Sequence, residues 1–481
     1  MEENKYKKII EEQAKQIEEQ AKQIEEQAKQ IEEHTQIIKS LKEIIIDLKQ
    51  KESKDSNNSH KPPRSNKFGK RHRNKNKKSN KKPGGQPKHP GKTLKIKEAD
   101  SKEVHLPHNC EYCNKNLDNE PFVSVNEKFR QEIKIIVKKV RVNHHLGSKI
   151  CPFCKTESKG KYPYGINSNI QYSNDIKSLS TYLFHYQLIP YRRIAHLFES
   201  LFDIKLSPAT VYNFNEKFSK LSEITYEKMK EMIINSDLIH ADETGIKVNG
   251  SNYYCYVFSN KKVTYLDIHK NRSKKAVDSF GILSNFNGNL VTDFYSVYRQ
   301  YKNLTNYFCN AHLLRELTFI HQIEKREWAA EMIDLLLRMK MFSHLYDETD
   351  EKEQLQKMYL QIEFEELLDK ALKEEEPYLN IKSNSRKQSK SKNIIDRLKE
   401  FEEGYLGFFN NKEIPFTNNQ GETDFRMGKV KQNISGTFRN KKDAKKFMQG
   451  LAIISTVIKQ KMPILESIKK IFLGNNLVFD T

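Results

Sequence analysis

Residues 238–270 read LIHADETGIKVNGSNYYCYVFSNKKVTYLDIHK. LIHADET, NYYCYVF and VTYLDIHK are rich in β-branched and aromatic residues, and VNGSN and SNKK between them carry turn chemistry, which predicts three strands in a meander. Beyond them, SKKAVDSFGIL is expected to be helical, NLVTDF a strand, the segment from about Ser296 a helix and TNYFCNAH a strand. The order β-β-β-α-β-α-β implies an antiparallel meander joined to parallel strands reached by helical crossovers. Residues 313–405 read as all-helical and highly charged. A further helical region from about Asn419 to Gln460, broken at ISGTF, carries LAIISTVI at 451–458.

Three acidic residues sit at the ends of these apolar elements: Asp242 in HADET, Asp293 in VTDFYSVY and Glu422 in NNQGETDFRMGKVK. The chain as a whole carries a net charge of +21. Gathered carboxylates are costly unless they hold metal ions, and a basic protein with a divalent-cation site suits a polyphosphate backbone. That combination points to nucleic-acid phosphoryl transfer.

The positive charge is concentrated. Residues 61–92 hold 13 Lys and Arg, among them Lys70, Arg71 and Arg73, and no acid. An AT-rich genome would inflate Glu along with Lys, so it does not account for an acid-free block. The block is read as a nucleic-acid-binding arm, with a solvating linker as the alternative. With KESKDSNNSHKPPRS before it, it forms a connector expected to be disordered. With 36% hydrophobic residues and a mean hydropathy of −0.80, the chain must include much solvated helix or linker besides two or three folded units.

Before the connector, EEQAKQI repeats three times over 11–31. Ala14, Ala21 and Ala28 fall at a, Ile17, Ile24 and Ile31 at d. The seam then shifts phase to Ile38, Leu41, Ile45 and Leu48. A self-associating coiled coil is expected, ending near Gln50 after roughly 60 Å of helix. The opening MEENKYKKIIEEQ lacks the apolar stretch of a signal peptide, and no apolar run is long enough for a membrane span. The expected location is cytoplasmic, associated with the nucleoid, with no membrane partner.

Cys110 and Cys113 form one C-x2-C, Cys151 and Cys154 a second. Two such knuckles supply the four thiolates of a tetrahedral Zn²⁺ site, and the segment between them alternates as two or three strands of a zinc ribbon would. A redox pair is the alternative, and His144 and His145 are read as surface residues. Residues 173–232 read as helical, with Ser207-Pro208 as N-cap and first turn of a helix after FDIKL. Helix-turn-helix and plain helical bundle both fit that spacing.

HADET, VTDFYSVY, CNAHLLREL and NNQGETDFRMGKVKQNISGTFRN together resemble the DDE transposases of the insertion-sequence-66 family. The likeness extends to the heptads, PGGQPKHPGK, the C-x2-C pair and the helical segment, in the family's order. It implies a ribonuclease-H-like α/β/α catalytic domain with a helical insertion. In that fold the first Asp ends strand one, the second ends its parallel neighbour, and the Glu lies on a helix after strand five. Carried over by motif, these are Asp242, Asp293 and Glu422, holding Mg²⁺, with Mn²⁺ as substitute. Two ions about 3.5–4 Å apart would serve cleavage that frees a 3′-OH and then joining of that 3′-OH to target DNA.

The implied partners are element ends, target DNA, a second copy of the chain and accessory proteins encoded by the same element. The expected multidomain α/β layout is a coiled coil (1–50), basic linker (51–100), zinc-binding domain (101–165), helical segment (166–235), catalytic core (236–312), helical insertion (313–410) and the rest of the core with C-terminal helices (411–481).

Individual side chains leave choices open. Glu243 competes with Asp242 for the site, although strand alternation points one of the two away. Asp424 lies on another helix face from Glu422. Arg426 either bridges Glu422 one turn away or holds a DNA phosphate. Lys429, Lys431, Arg439 and Lys441 form a basic track for the DNA end, with a solvated face as the alternative. Cys309 and His312 are read as a buried thiol and a hydrogen-bonding imidazole near the carboxylates, and Trp328 as core rather than a stacking platform. A catalytically dead DNA-binding regulator and a nuclease without strand transfer are the competing functions.

Overall fold

The structure, a computed structural model, describes residues 27, 96–121, 130–135, 138–347, 349–379 and 388–480. The expected coiled coil, apart from Gln27, and the basic block with Lys70, Arg71 and Arg73 lie outside the described residues. The described chain divides into two units: residues 162–194 with 208–480, and residues 96–161 with 195–207. Among the described residues no helix is long and apolar enough to cross a membrane.

The larger unit is built on a five-stranded mixed sheet. Its strands are β3 (Leu238–Val248), β4 (Ser251–Ser259), β5 (Thr264–His269), β6 (Asn289–Thr292) and β7 (Thr305–Phe308), in spatial order β5-β4-β3-β6-β7. The first three pair antiparallel, while β6 and β7 run parallel to β3. A two-residue turn, Asn249-Gly250, closes the first hairpin with both residues at positive φ, 48° and 74°, the twist that suits a tight hairpin. Asn260 Oδ1 accepts from the Lys262 and Val263 N–H groups at the second turn. Five successive residues of β5 are buried, the mark of a strand covered on both faces.

Between β5 and β6 the chain forms only the short helix α5 (Lys274–Asp278). Between β6 and β7, where a helix from about Ser296 is expected, there is a single 3-10 turn at Tyr298–Gln300. Tertiary bonds override the local pattern here. The Tyr298 hydroxyl donates to Glu243 and that of Tyr301 to Asp278 (2.5 Å), drawing both rings inward.

Four helices precede the sheet: α1 (Asn174–His185), α2 (Tyr191–Phe202), α3 (Pro208–Leu221) and α4 (Glu223–Ile234). The chain ends in α11 (Asn419–Ser435), α12 (Lys441–Lys459) and α13 (Ile464–Phe472). α3 buries Val211, Phe214 and Phe218 and packs with α1, α12 and α13, so it is a member of a helical bundle. His185 lies buried in that bundle, stacked on Phe447, and burial pushes its pKa down to about 3.

Between β7 and α11 the chain is helical: α6 (Asn310–Phe319), α7 (Glu327–Leu345), α8 (Glu351–Leu379), α9 (Lys390–Glu400) and α10 (Glu402–Asn410). They enclose a core of their own around Trp328, Leu336, Phe364 and Leu398. Trp328 is fully buried and donates to Ser391 Oγ (3.1 Å), so it is core.

The smaller unit holds the two Cys knuckles. Among its described residues one hairpin, β1 (Ser148–Ile150) with β2 (Glu157–Lys159), wraps the second knuckle. The strands expected between the knuckles are not found in the described residues 130–135 and 138–147. Ile133, Ile135, Val140 and Val142 there are exposed; alternation specifies a strand only where one face is buried.

Candidate active site

β3 and β6 pair in register from Leu238 opposite Asn289 to His240 opposite Val291. Continued by two residues, that register sets Asp242 level with Asp293, on strands about 4.8 Å apart. Asp242 Oδ1 accepts the Glu243 N–H (2.8 Å), and Asp293 Oδ1 accepts that of Tyr295 (3.1 Å). β6 and β7 continue likewise: the Cys309 N–H donates to the Thr292 carbonyl (2.8 Å), which brings Cys309 beside Asp293.

The third carboxylate arrives on the first turn of α11. Asn418, just before that helix, ties it to the sheet. Its side-chain amide donates to the Ala241 carbonyl (2.9 Å), its Oδ1 meets His240 Nδ1 (2.8 Å), and its backbone N–H donates to Cys309 Sγ (3.2 Å). Gly421 then lies close enough to Asp242 that a Cβ on it would stand 3.5 Å from Asp242 Cβ. Glu422 follows, 3.8 Å from His312 Nε2. Nothing in the sequence singled out Asn418. Its position directly before the helix that carries Glu422 reads as an ordinary N-cap, but its side chain bonds the sheet and makes no cap bond.

Glu243 takes the other face of β3. It is buried and bonded to Arg272 Nε (2.7 Å) and to the Tyr298 hydroxyl. Asp424 is committed elsewhere too, to Lys459 Nζ at 2.6 Å on α12. Arg426 is exposed, and among the described residues no ion pair joins it to Glu422. The expected basic track separates into two kinds of residue. Arg439 and Lys441 are exposed. Lys429 donates to the Gly245 carbonyl of β3. Lys431 departs from the expectation: it is buried, its ammonium bonded to the Leu188 carbonyl (3.2 Å) and 4.2 Å from the Phe184 ring centre. A group enclosed in this way cannot reach a phosphate.

The electrostatics fit a cation. Burial pushes the Asp242 pKa well above the carboxylate range, and the negative charges of Glu243, Asp293 and Glu422 push it further the same way. Burial also raises Glu243, with Asp293 adding to the effect and Tyr298 and Arg272 opposing it. Carboxylates that destabilise one another are relieved by a hard cation held on their oxygens. As placed, no three His, Cys, Asp or Glu side chains among the described residues stand close enough to enclose an ion. Asp242, Asp293 and Glu422 supply the donor chemistry for Mg²⁺ or Mn²⁺.

The four thiols of the smaller unit have instead the donor chemistry of a Zn²⁺ site, and their two knuckles share one backbone design. The Asn114 N–H donates to the Cys110 carbonyl and that of Lys155 to the Cys151 carbonyl, each 2.9 Å. Asn114 and Lys155 have positive φ, 58° and 59°. Hydrogen bonds from Thr156 and Cys151 push the Cys154 thiol down to about 7, and the Cys113 and Tyr112 N–H groups lower Cys110. N–H groups aimed at sulfur favour the thiolate that a metal binds.

A mixed sheet flanked by helices, with Asp242 and Asp293 level on its neighbouring parallel strands β3 and β6, defines an α/β protein. Residues 169–446, more than half of the chain, match the family model described as Transposase IS66 family. The chain belongs to that transposase family. A search of curated proteins found no match.

Proposed function

We propose that the protein is a DNA transposase that cleaves the 3′ ends of an insertion sequence and joins them to target DNA at one divalent-cation site. The observation that carries this reading is the register that levels Asp242 with Asp293, together with the Asn418 tether that brings Glu422 to them. The strand order, three antiparallel strands followed by two parallel ones, supports a ribonuclease-H-like core. Membership of a transposase family supports DNA as the partner.

In this reading Asp242, Asp293 and Glu422 hold Mg²⁺ or Mn²⁺. Bound there, the cation would make water a better nucleophile and offset charge on the leaving oxygen. Water oxygen attacks phosphorus at the element end and the P–O3′ bond breaks. The element keeps a 3′-OH and the flank a 5′-phosphate. In joining, the 3′-OH attacks a target phosphodiester, one P–O3′ bond replaces another, and no external energy source is needed. Arg426, Arg439 and Lys441 are exposed cations suited to the DNA backbone, as are Lys70, Arg71 and Arg73. The heptads supply self-association for pairing two ends, and the knuckles hold Zn²⁺.

The test is cleavage of a duplex ending in the terminal repeat that flanks the gene, by full-length protein with Mg²⁺. Asp242→Asn, Asp293→Asn and Glu422→Gln should each abolish cleavage and joining while DNA binding is retained. Normal strand transfer by any one variant would remove that residue from the site. Cleavage without joining would leave a nuclease, and binding without cleavage by the wild type a regulator.

A further inference from the structure

We propose that Arg272 binds a DNA backbone phosphate beside the scissile bond, aimed by Glu243, Tyr298 and Tyr295; this rests on the transposase reading and adds a substrate contact to it. Arg272 follows β5, outside every motif that marks the acidic triad. Its guanidinium is nevertheless built into place from three sides. Nε and Nη2 meet Glu243 Oε1. The Tyr298 hydroxyl fixes the other carboxylate oxygen. The Tyr295 ring stacks against the guanidinium with its centroid 4.0 Å from Cζ, and its hydroxyl donates to the Arg272 carbonyl (2.9 Å).

Burial separates the anchor from the working group. The Glu243 side chain is 1% exposed and that of Arg272 40%. Only one edge of the guanidinium is spent on Glu243, and the residue lines a cavity of about 180 Å³ with Asp293, Tyr295, Cys309 and His312. The other guanidinium on that wall, Arg397, is 13% exposed and committed to Glu316, Phe294 and Tyr405. Among the described residues lining this cavity, Arg272 is therefore the guanidinium available to an anion that approaches Asp293. A planar fork held by a carboxylate on one edge suits a phosphate on another. Glu243 is then a positioning residue, which explains why an acid adjacent to Asp242 is buried rather than added to the cation site.

The experiment uses full-length protein and a duplex ending in the flanking terminal repeat. Arg272→Ala should slow single-turnover cleavage about 100-fold and reduce the slope of log Kd against log salt by about 1. Mg²⁺-induced thermal stabilisation should persist, since the cation ligands remain. Arg272→Lys should restore the salt slope but only part of the rate, because an ammonium cannot serve both edges. Arg272→Ala leaves a buried carboxylate unpaired and can unfold the protein. The double variant Arg272→Ala with Glu243→Gln removes both charges and keeps a partner for Tyr298. It should fold, bind Mg²⁺ and remain as slow as described. Wild-type cleavage and salt slope in a folded variant lacking Arg272 would overturn the phosphate contact. If the wild type bound the duplex without cutting it, the transposase reading would fail. The salt slope alone would then decide, an unchanged slope overturning the contact and a loss of about 1 upholding it.

Discussion

Lys431 shows what a charge count along a helix omits. In sequence it stands with Lys429 and Arg426 in one basic run, yet it alone is enclosed by aromatic rings from α1 and α12. Burial pushes its pKa down to about 8, below the value of about 10.4 in an unfolded chain. The unfolded chain therefore binds more protons between about pH 8 and pH 10.4. Stability from this residue rises with pH across that window and is lost as pH falls through it. Lys431→Met should remove that slope and raise stability at pH 7 by about 1–2 kcal/mol, the desolvation cost less the attraction to Phe184. Denaturant unfolding at pH 7 and pH 10 checks it. A phosphate-binding lysine would instead show weaker DNA binding with unchanged stability. The placing of Asp242 and Asp293 on neighbouring strands was legible because acids set in apolar strand segments have few purely structural uses. The Asn418 tether and the Arg272–Glu243 pair were not, because each depends on contacts between residues distant in sequence.

At the scale of elements, α10 explains how the helical insertion sits on the sheet. Its Gly407 approaches β7 so closely that a Cβ would lie 2.1 Å from the Tyr307 ring. Gly407→Ala should destabilise by about 1–3 kcal/mol, although the same change in an exposed helix gains about 1 kcal/mol. Gly428→Ala on α11 is the contrast: its nearest neighbours, on Met448 and Phe425, stand at 3.4 Å. That variant should be neutral or slightly more stable in the same unfolding assay, and equal losses in both would contradict the close-approach account. The hairpins and the break in the last helices were readable because Asn249-Gly250 and Gly436 (φ 75°) mark turns locally. The 3-10 turn at Tyr298–Gln300 was not, because two distant carboxylates, Glu243 and Asp278, decide it. The strands missing from the described residues 130–135 and 138–147 have the converse cause: alternation without a burying partner.

For the whole molecule, joining two element ends needs two active sites held together. The heptads at 11–31 are the means the sequence offers, and they stand outside the described residues. Deleting residues 1–50 should lower the oligomeric state in light scattering and impair paired-end joining, while single-end cleavage survives in part. Unchanged assembly and joining would move that role to the folded units. The proposed chemistry depends on Asp242, Asp293 and Glu422 sharing one cation site. Thermal unfolding of the full-length protein with and without saturating Mg²⁺ tests this most directly. Wild type should gain about 2–3 kcal/mol, as a ligand near a hundredfold its Kd supplies. Asp242→Asn, relieved of its neighbours' repulsion, should unfold at a higher temperature than wild type without Mg²⁺ and gain little when it is added. Equal gains in wild type and Asp242→Asn, or none in the wild type, would contradict a shared cation site.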